Sequence, residues 1–251
     1  MKVPFKKREI VWTEDKISVI WNYYAQNPAY QQQYYSFHSG IYILNEVRKL
    51  VSLNKKHILD FGCGPGYLIG YLLEHSRESV VYGLDFSFES VRITEEKYRG
   101  HPSFNSAIWT ERLPSSLNSE SMDMVICVEV LEHLSDNKLI ATLGEIHRLL
   151  KPNGCLVITT PHAENLEVNK TICPECGLIF HRWQHIRSWR VEDIDNLLRQ
   201  FHFRKLLIKP TCFQSSRGRL LERTKHIFKK LSGHKYYPLV PHLLTIAQKN
   251  G

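Results

Sequence analysis

From residue 57 onward the chain alternates short, β-branched apolar runs with stretches of helical periodicity, and this alternation constrains its fold more than any other feature. HILDFG (57–62), VVYGLDF (80–86), MDMVICV (122–128) and CLVITT (155–160) are predicted strands. GYLIGYLLEH (66–75) and the stretch from Glu89 to Tyr98 are predicted helices, and Leu139, Ile140, Leu143, Ile146, Leu149 and Leu150 fall at helical spacing. KPNG (151–154) reads as a turn, and LLIKP (206–210) and LVPHLLTIAQ (239–248) read as two closing strands. Alternation of this kind predicts an α/β fold: a mostly parallel sheet with helices on both faces. In such sheets ligands bind beyond the carboxyl ends of the strands, at the topological switch point. Chemistry is therefore expected from residues that directly follow a strand.

The first such place is DFGCGPG, which sets Gly62, Gly64 and Gly66 in the turn between a buried strand and a helix. Glycines there let the backbone take positive φ and approach a ligand closely. The bland alternative is a tight turn with no ligand. The spacing is G-x-G-x-G, unlike the G-x-G-x-x-G of dinucleotide-binding turns. Asp60 stands just before the loop, where a carboxylate would repel a pyrophosphate and suit a ligand with a positive end. Asp85 closes the next strand, in the register where a carboxylate accepts hydrogen bonds from both hydroxyls of a ribose. S-adenosylmethionine (SAM), with an ammonium, a sulfonium and no phosphate, answers to both.

ILDFGCGPGYL, GLDFS, MDMVICVEVLEHL and LLKPNGCLVITTP together resemble the successive motifs of class I SAM-dependent methyltransferases. The resemblance covers about residues 55–205 and lies with the broad group that includes ubiquinone-biosynthesis and small-molecule methyltransferases. It implies a Rossmann-like, seven-stranded sheet whose last strand is antiparallel. It further implies that Asp60, Gly62, Cys63, Gly64 and Gly66 meet the methionine and ribose parts of SAM, and that Asp85 holds the ribose hydroxyls with Phe86 against the adenine. Val128 and Glu129 would line the pocket after the fourth family strand. The family often places an acidic residue four positions before its Leu-Pro dipeptide; here Trp109 stands there, so Trp109 and Thr110 are the candidates beside the adenine. Upstream, YYSFHSG (34–40) resembles a segment that covers the cofactor, which makes Tyr34, Tyr35 and Gly40 lid candidates; a surface helix with aromatic anchors is the alternative. Residues 1–50 are expected to form a helical cap and 51–251 the SAM-binding domain.

Methyl transfer requires alignment of the acceptor and, for some acceptors, removal of a proton. His162, directly after a strand, His133, in LEHL, and His181 and His185, in the downstream insertion, are the candidate bases, each with a structural role as the alternative. The [N/D]-P-P-[Y/F] motif of nucleic-acid amino-methyltransferases is absent after MDMVICV, where VEVLEHL stands. ICPECGLIFHRWQHIRSW (172–189) offers Cys173, Cys176, His181 and His185 in C-x2-C-x4-H-x3-H spacing, an adequate set for a structural zinc in an insertion over 171–189. A metal-free loop is the other reading. HIRSWRVEDIDNLL also resembles a family segment in which His185 and Arg187 would face the acceptor.

The formal charge of +8 is concentrated: between Arg217 and Lys235 seven basic residues stand against Glu222 alone. A basic amphipathic segment over 215–236 could lie on an anionic membrane and reach a lipid-linked acceptor, or simply pack on the domain. With the remaining charge nearly balanced, no general polyanion-binding surface is expected, so nucleic acid is disfavoured as a partner. The expected acceptor is a small molecule or a saccharide- or lipid-linked intermediate. An RNA methyltransferase and a non-catalytic, SAM-binding scaffold are the competing functions. No apolar run approaches a transmembrane length and no signal peptide is recognisable, so a cytoplasmic location with reduced thiols is expected, peripheral to the membrane if the basic segment binds there.

Overall fold

The computed structural model of the chain describes residues 7–213 and 241–251. The basic segment at 215–236 therefore lies outside the described residues.

In chain order the elements are β1 (Arg8–Glu9), α1 (Glu14–Gln26), α2 (Pro28–Gln31), α3 (Tyr35–Val47), β2 (His57–Phe61), α4 (Tyr67–His75), β3 (Val80–Asp85), α5 (Phe88–Tyr98) and β4 (Phe104–Trp109). They continue with β5 (Met122–Val128), a 3-10 turn (Leu131–His133), α6 (Asp136–Leu149), β6 (Leu150–Pro161), β7 (Lys170–Ile172), β8 (Leu178–His181), α7 (Val191–Gln200), β9 (Phe203–Thr211) and β10 (His242–Lys249). Seven strands form one sheet in the order β4-β3-β2-β5-β6-β10-β9, with β10 antiparallel to both its neighbours. The Rossmann-like seven-stranded architecture is thus the observed one. A separate three-stranded sheet, β1-β8-β7, projects from it and is built from the insertion and the N-terminal strand.

The chain leaves the sheet centre in opposite directions from β2, whose neighbours are β3 and β5. The crevice at their carboxyl ends is the switch point. Two apolar layers hold the sheet in place. On one face Leu59, Val125, Leu143, Ile146 and Leu198 are fully or almost fully buried; on the other Ile43, Ile58, Ile69, Leu72 and Met124 are. Alternate residues of β2 enter opposite layers, as the two-residue period of a strand requires. Helix entry is also locally encoded. Ser87 caps α5 by accepting the Ser90 N–H at 3.1 Å, and Thr13 faces the first turn of α1, where Glu14 and Asp15 suit the helix dipole.

Two sequence expectations change. KPNG is not a turn between elements: it lies inside β6, where pairing jumps from Met122–Leu150 to Met124–Cys155 and Asn153 takes φ +62°. The strand β4 has no counterpart among the predicted elements, because FNSAIW carries polar residues on an edge strand and lacks a continuous apolar run. Among the described residues no helix is long and apolar enough to cross a membrane.

Candidate active site

At the end of β2 the carboxylate of Asp60 is almost fully buried, at 2% exposure, and its Oδ2 has no hydrogen-bond partner. Burial, followed by the neighbouring Asp85, pushes its carboxyl well above the ordinary range. A buried, unpartnered carboxylate oxygen is costly to keep, and a cationic ligand group is what would satisfy it. The next residue but one, Gly62, has φ +79°, and a Cβ there would stand 2.4 Å from Val130 Cγ2. Gly64, at φ +50°, has the Tyr34 ring where its own side chain would go, 2.9 Å away. Gly62→Ala is therefore expected to destabilise the fold by about 2–4 kcal/mol, from left-handed strain plus steric overlap; a urea midpoint measurement checks it.

Asp85 closes β3 and faces the same loop. Its Oδ2 accepts the Gly64 N–H at 2.8 Å and its Oδ1 accepts the Ser87 N–H at 2.7 Å. Burial raises its carboxyl above the usual range, against the lowering effect of the Ser87, Gly64 and Phe86 N–H groups. Each oxygen keeps a lone pair, so the group can accept two further hydroxyl donors. Phe86 and Trp109 come together beside it through the Trp109 indole N–H, which donates to the Phe86 carbonyl at 3.2 Å. Thr110 joins them by donating its backbone N–H to the Asp85 carbonyl at 3.2 Å. Cys63 is buried beside these groups, and burial pushes its thiol well up.

Val128 ends β5, and the turn after it carries a second set of acidic groups. Glu129, at φ +52°, accepts the Thr159 hydroxyl at 2.8 Å and lies 2.9 Å from His242 Nδ1, on the first residue of β10. Glu132 is fully buried; one oxygen accepts the Thr160 hydroxyl at 3.1 Å and the other has no partner. Burial, then Glu129, pushes the Glu132 carboxyl well up. His133 follows, and burial holds it far below the usual imidazole range, hence neutral. Left-handed backbone recurs around this turn at Ala163 (φ +50°) and Gln184 (φ +60°), a concentration of strain of the kind found at functional sites.

The N-terminal helices cross over this crevice. Asn22 of α1 accepts the Ser87 hydroxyl at 2.7 Å, and Trp21 donates its indole N–H to Gln184 at 3.0 Å. Tyr24 anchors the same helix by donating to the Arg182 carbonyl at 2.5 Å. Of the lid candidates, Tyr34 sits on the glycine loop. Tyr35 instead stacks on His242 at 4.0 Å and faces the Glu129 side. Gly40 belongs to neither: a Cβ there would meet the Tyr71 ring at 2.6 Å, so it is a contact glycine between α3 and α4. His162 lies at the rim; its backbone N–H donates to the Pro241 carbonyl at 3.0 Å and it bridges to Trp189.

The zinc set read from the insertion is not assembled. Cys173 and Cys176 occupy the tip of the β7–β8 hairpin, where Gly177 N–H donates to the Cys173 carbonyl at 3.0 Å. His181 ends β8, and an extended strand carries it about 15 Å from the tip, at roughly 3.3 Å per residue. β8 is a strand that ends at His181, so the two cysteines and two histidines are not brought together. The histidine pair survives as a pair: the rings stack at 4.5 Å, and Glu164 lies between them, 3.4 Å from His181 Nε2 and 2.5 Å from His185 Nδ1. Among the described residues the clusters with converging ligand atoms are Glu164–His181–His185 and Glu132–His133–His185, and neither contains a cysteine. Arg187, expected to face the acceptor, is paired with Asp136 at 2.7 Å. Glu132, Glu164, Trp21, Gln184 and His242 were not singled out by sequence, although Glu132, Gln184 and His242 stand within stretches already noted, VEVLEHL, 172–189 and 239–248.

Comparison with known proteins gives these features a context. Residues 38–208 match a family model described as a methyltransferase domain. The chain is 28% identical over 126 residues to a ubiquinone biosynthesis O-methyltransferase of Coxiella burnetii, covering 48% of this chain and 52% of that protein. In structure it is similar to a methyltransferase of Haloferax volcanii solved in complex with the Trm112 methyltransferase activator. That match has a TM-score of 0.63 and 19% identity and covers 92% of this chain and 98% of the other. It is also similar to phosphoethanolamine N-methyltransferase 2 of Haemonchus contortus, solved with S-adenosyl-L-methionine. Here the TM-score is 0.57 at 14% identity, covering 83% of this chain and 52% of that one. The chain spans between 25% and 52% of the length of curated relatives that it matches in sequence.

Proposed function

The chain belongs to the methyltransferase domain family, and on that premise we propose that it moves a methyl group from SAM to an oxygen, nitrogen or carbon atom of a small-molecule or saccharide- or lipid-linked acceptor. The observation that carries this reading is the buried Asp60 carboxylate with a free oxygen, set before a left-handed glycine loop and opposite Asp85. A site with two carboxylates and no lysine or arginine among these groups suits a cation and repels a pyrophosphate.

In this proposal Asp60 meets the ammonium, Asp85 the ribose hydroxyls, the backbone of Gly62 to Gly66 the middle of the molecule, and Phe86, Trp109 and Thr110 the adenine. Bound there, the donor supplies an electrophilic methyl carbon on a sulfonium. Tyr34 and Trp21 exclude water from above, and the acceptor enters on the side of Glu129, Glu132 and His133, where alignment in a dry pocket supplies much of the rate. Calorimetry with SAM, S-adenosylhomocysteine and NAD tests the reading: both adenosyl ligands are expected to bind and NAD not to. Absence of heat with either adenosyl ligand would sink it. Contact of the basic segment at 217–235 with anionic lipid belongs to the lipid-linked version of the proposal, and salt-sensitive co-sedimentation with anionic liposomes is its check.

A further inference from the structure

The geometry points to His185 as the general base for an acceptor that must lose a proton, a hydroxyl first of all, with Glu164 as the residue that positions it. The inference rests on the methyltransferase reading for the identity of the donor and goes beyond it in naming the acceptor chemistry.

Its basis is the tautomer that the neighbours impose. Glu164 Oε2 lies 2.5 Å from His185 Nδ1. Burial works against ionisation of Glu164, but the neighbouring His181 and His185 outweigh it and hold the carboxyl far below the usual range. An ionised carboxylate can only accept, so the shared proton sits on His185 Nδ1 and its Nε2 carries a lone pair. Among the described residues no hydrogen bond engages that Nε2. His181 cannot do the same work. Its Nδ1 accepts the His185 backbone N–H at 3.2 Å, so its proton is on Nε2, which lies 3.4 Å from Glu164 Oε1 without a hydrogen bond between them. Glu164 and His185 thus form the hydrogen-bonded pair, with His181 stacked on His185 beside it.

Position supports the assignment. The Gln184 amide donates to the His133 carbonyl at 2.9 Å, and the Ile186 N–H donates to the Glu132 carbonyl at 2.9 Å. These bonds strap His185 against the turn that follows β5, on the acceptor side of the crevice. The titratable groups facing it are Glu164, His181, His133 and Glu132. His133, buried and neutral, has its ring 4.9 Å from that of His185, and His162 takes no part in the cluster.

In the step assigned, the acceptor oxygen forms a bond to the methyl carbon as the carbon–sulfur bond breaks, its electron pair remaining on sulfur. The hydroxyl proton passes to His185 Nε2. The products are the methyl ether, the neutral thioether and an imidazolium that the Glu164 carboxylate stabilises until the proton leaves to solvent. A carboxylic acid acceptor, already ionised at neutral pH, needs no such base.

Two measurements on the full chain decide the matter. Two-bond proton–nitrogen correlation of histidine-labelled protein is expected to show His185 with a protonated Nδ1 and an unprotonated Nε2, and to lose that pattern in Glu164→Gln but not in Glu164→Asp. The opposite tautomer in the unmodified chain overturns the proposal, whether or not an acceptor is in hand. Second, labelled-methyl SAM is offered with a panel of phenols, sugar alcohols, amines and carboxylic acids. Methylation of hydroxyl acceptors is expected, falling about 10²–10⁴-fold in His185→Gln with SAM affinity unchanged within twofold. Methylation of carboxylic acids alone, undiminished turnover in His185→Gln, or stoichiometric Zn²⁺ binding that Glu164→Gln removes would each overturn it. Failure to bind SAM at all would sink the donor assignment and leave the tautomer result standing, so the two failures are separable.

Discussion

Asp85→Ala is expected to weaken SAM binding by about 10²–10³-fold, from the loss of two charge-assisted hydrogen bonds worth roughly 1.5–2 kcal/mol each. Titration calorimetry of the variant against the unmodified chain gives the number directly. The effect has a second source, because Asp85 also holds the glycine loop through the Gly64 N–H at 2.8 Å. Asp85→Asn separates the two. It keeps the shape and one acceptor oxygen, so its affinity is expected between those of the alanine variant and the unmodified chain. Equal affinity in all three proteins would show that the ribose is held elsewhere and that the crevice is misassigned.

Asp60→Asn is expected to move stability and binding in opposite directions. In the unliganded protein Asp60 is buried with one oxygen unpartnered, and its carboxyl is raised well above the ordinary range. For a carboxyl raised on folding, the folded state binds the proton more tightly than the unfolded one. Its contribution is therefore favourable below the unfolded value, near 3.9, and is lost as pH rises through the folded value. At neutral pH the neutral amide removes this penalty. A gain of about 1–3 kcal/mol is expected, or roughly 3–10 °C in Tm, together with a flatter dependence of Tm on pH between 5 and 8. Glu132, raised for the same reason of burial, retains its own share of that dependence. SAM affinity is expected to fall about 10–100-fold, since the ammonium loses a charged partner. Thermal melts with and without SAM at both ends of that pH range measure both effects. A variant less stable than the unmodified chain at pH 8 would mean that Asp60 has a partner in the unliganded protein.

What was legible in the sequence follows the strength of each local signal. β2, β3, β5 and the helices between them combine apolar runs with the correct period, and they lie where that pattern puts them. The glycine loop and its two carboxylates were legible because their chemistry is local: a strand end, a turn that needs positive φ, and a second strand end in register. The proposed acceptor side was legible only in part. His185 stood among the candidates, whereas Glu132 reaches it through the Ile186 N–H and Glu164 through His185 Nδ1, contacts between separate connections. His242 reaches Glu129 because β10 inserts antiparallel between β6 and β9, a topological fact with no mark in the residues around it. The cysteine–histidine spacing misled for a related reason. Spacing converts to distance only once the backbone is known, and the extended β8 carries His181 away from the cysteines at the hairpin tip.

The acidic lining of the crevice also bears on how a turnover ends. Asp60 and Asp85 flank the proposed donor site, with Glu129 beyond them, inside a chain whose overall charge is +8. In the proposed reaction the donor arrives with a sulfonium, and transfer removes that charge. Spent donor is thus held by the same shape but by one fewer unit of electrostatic attraction, in a low-dielectric space where such a unit counts for most. The same carboxylates that recruit the reagent thereby favour exchange of the used molecule for a fresh one, and added salt should narrow the gap in residence time between the two.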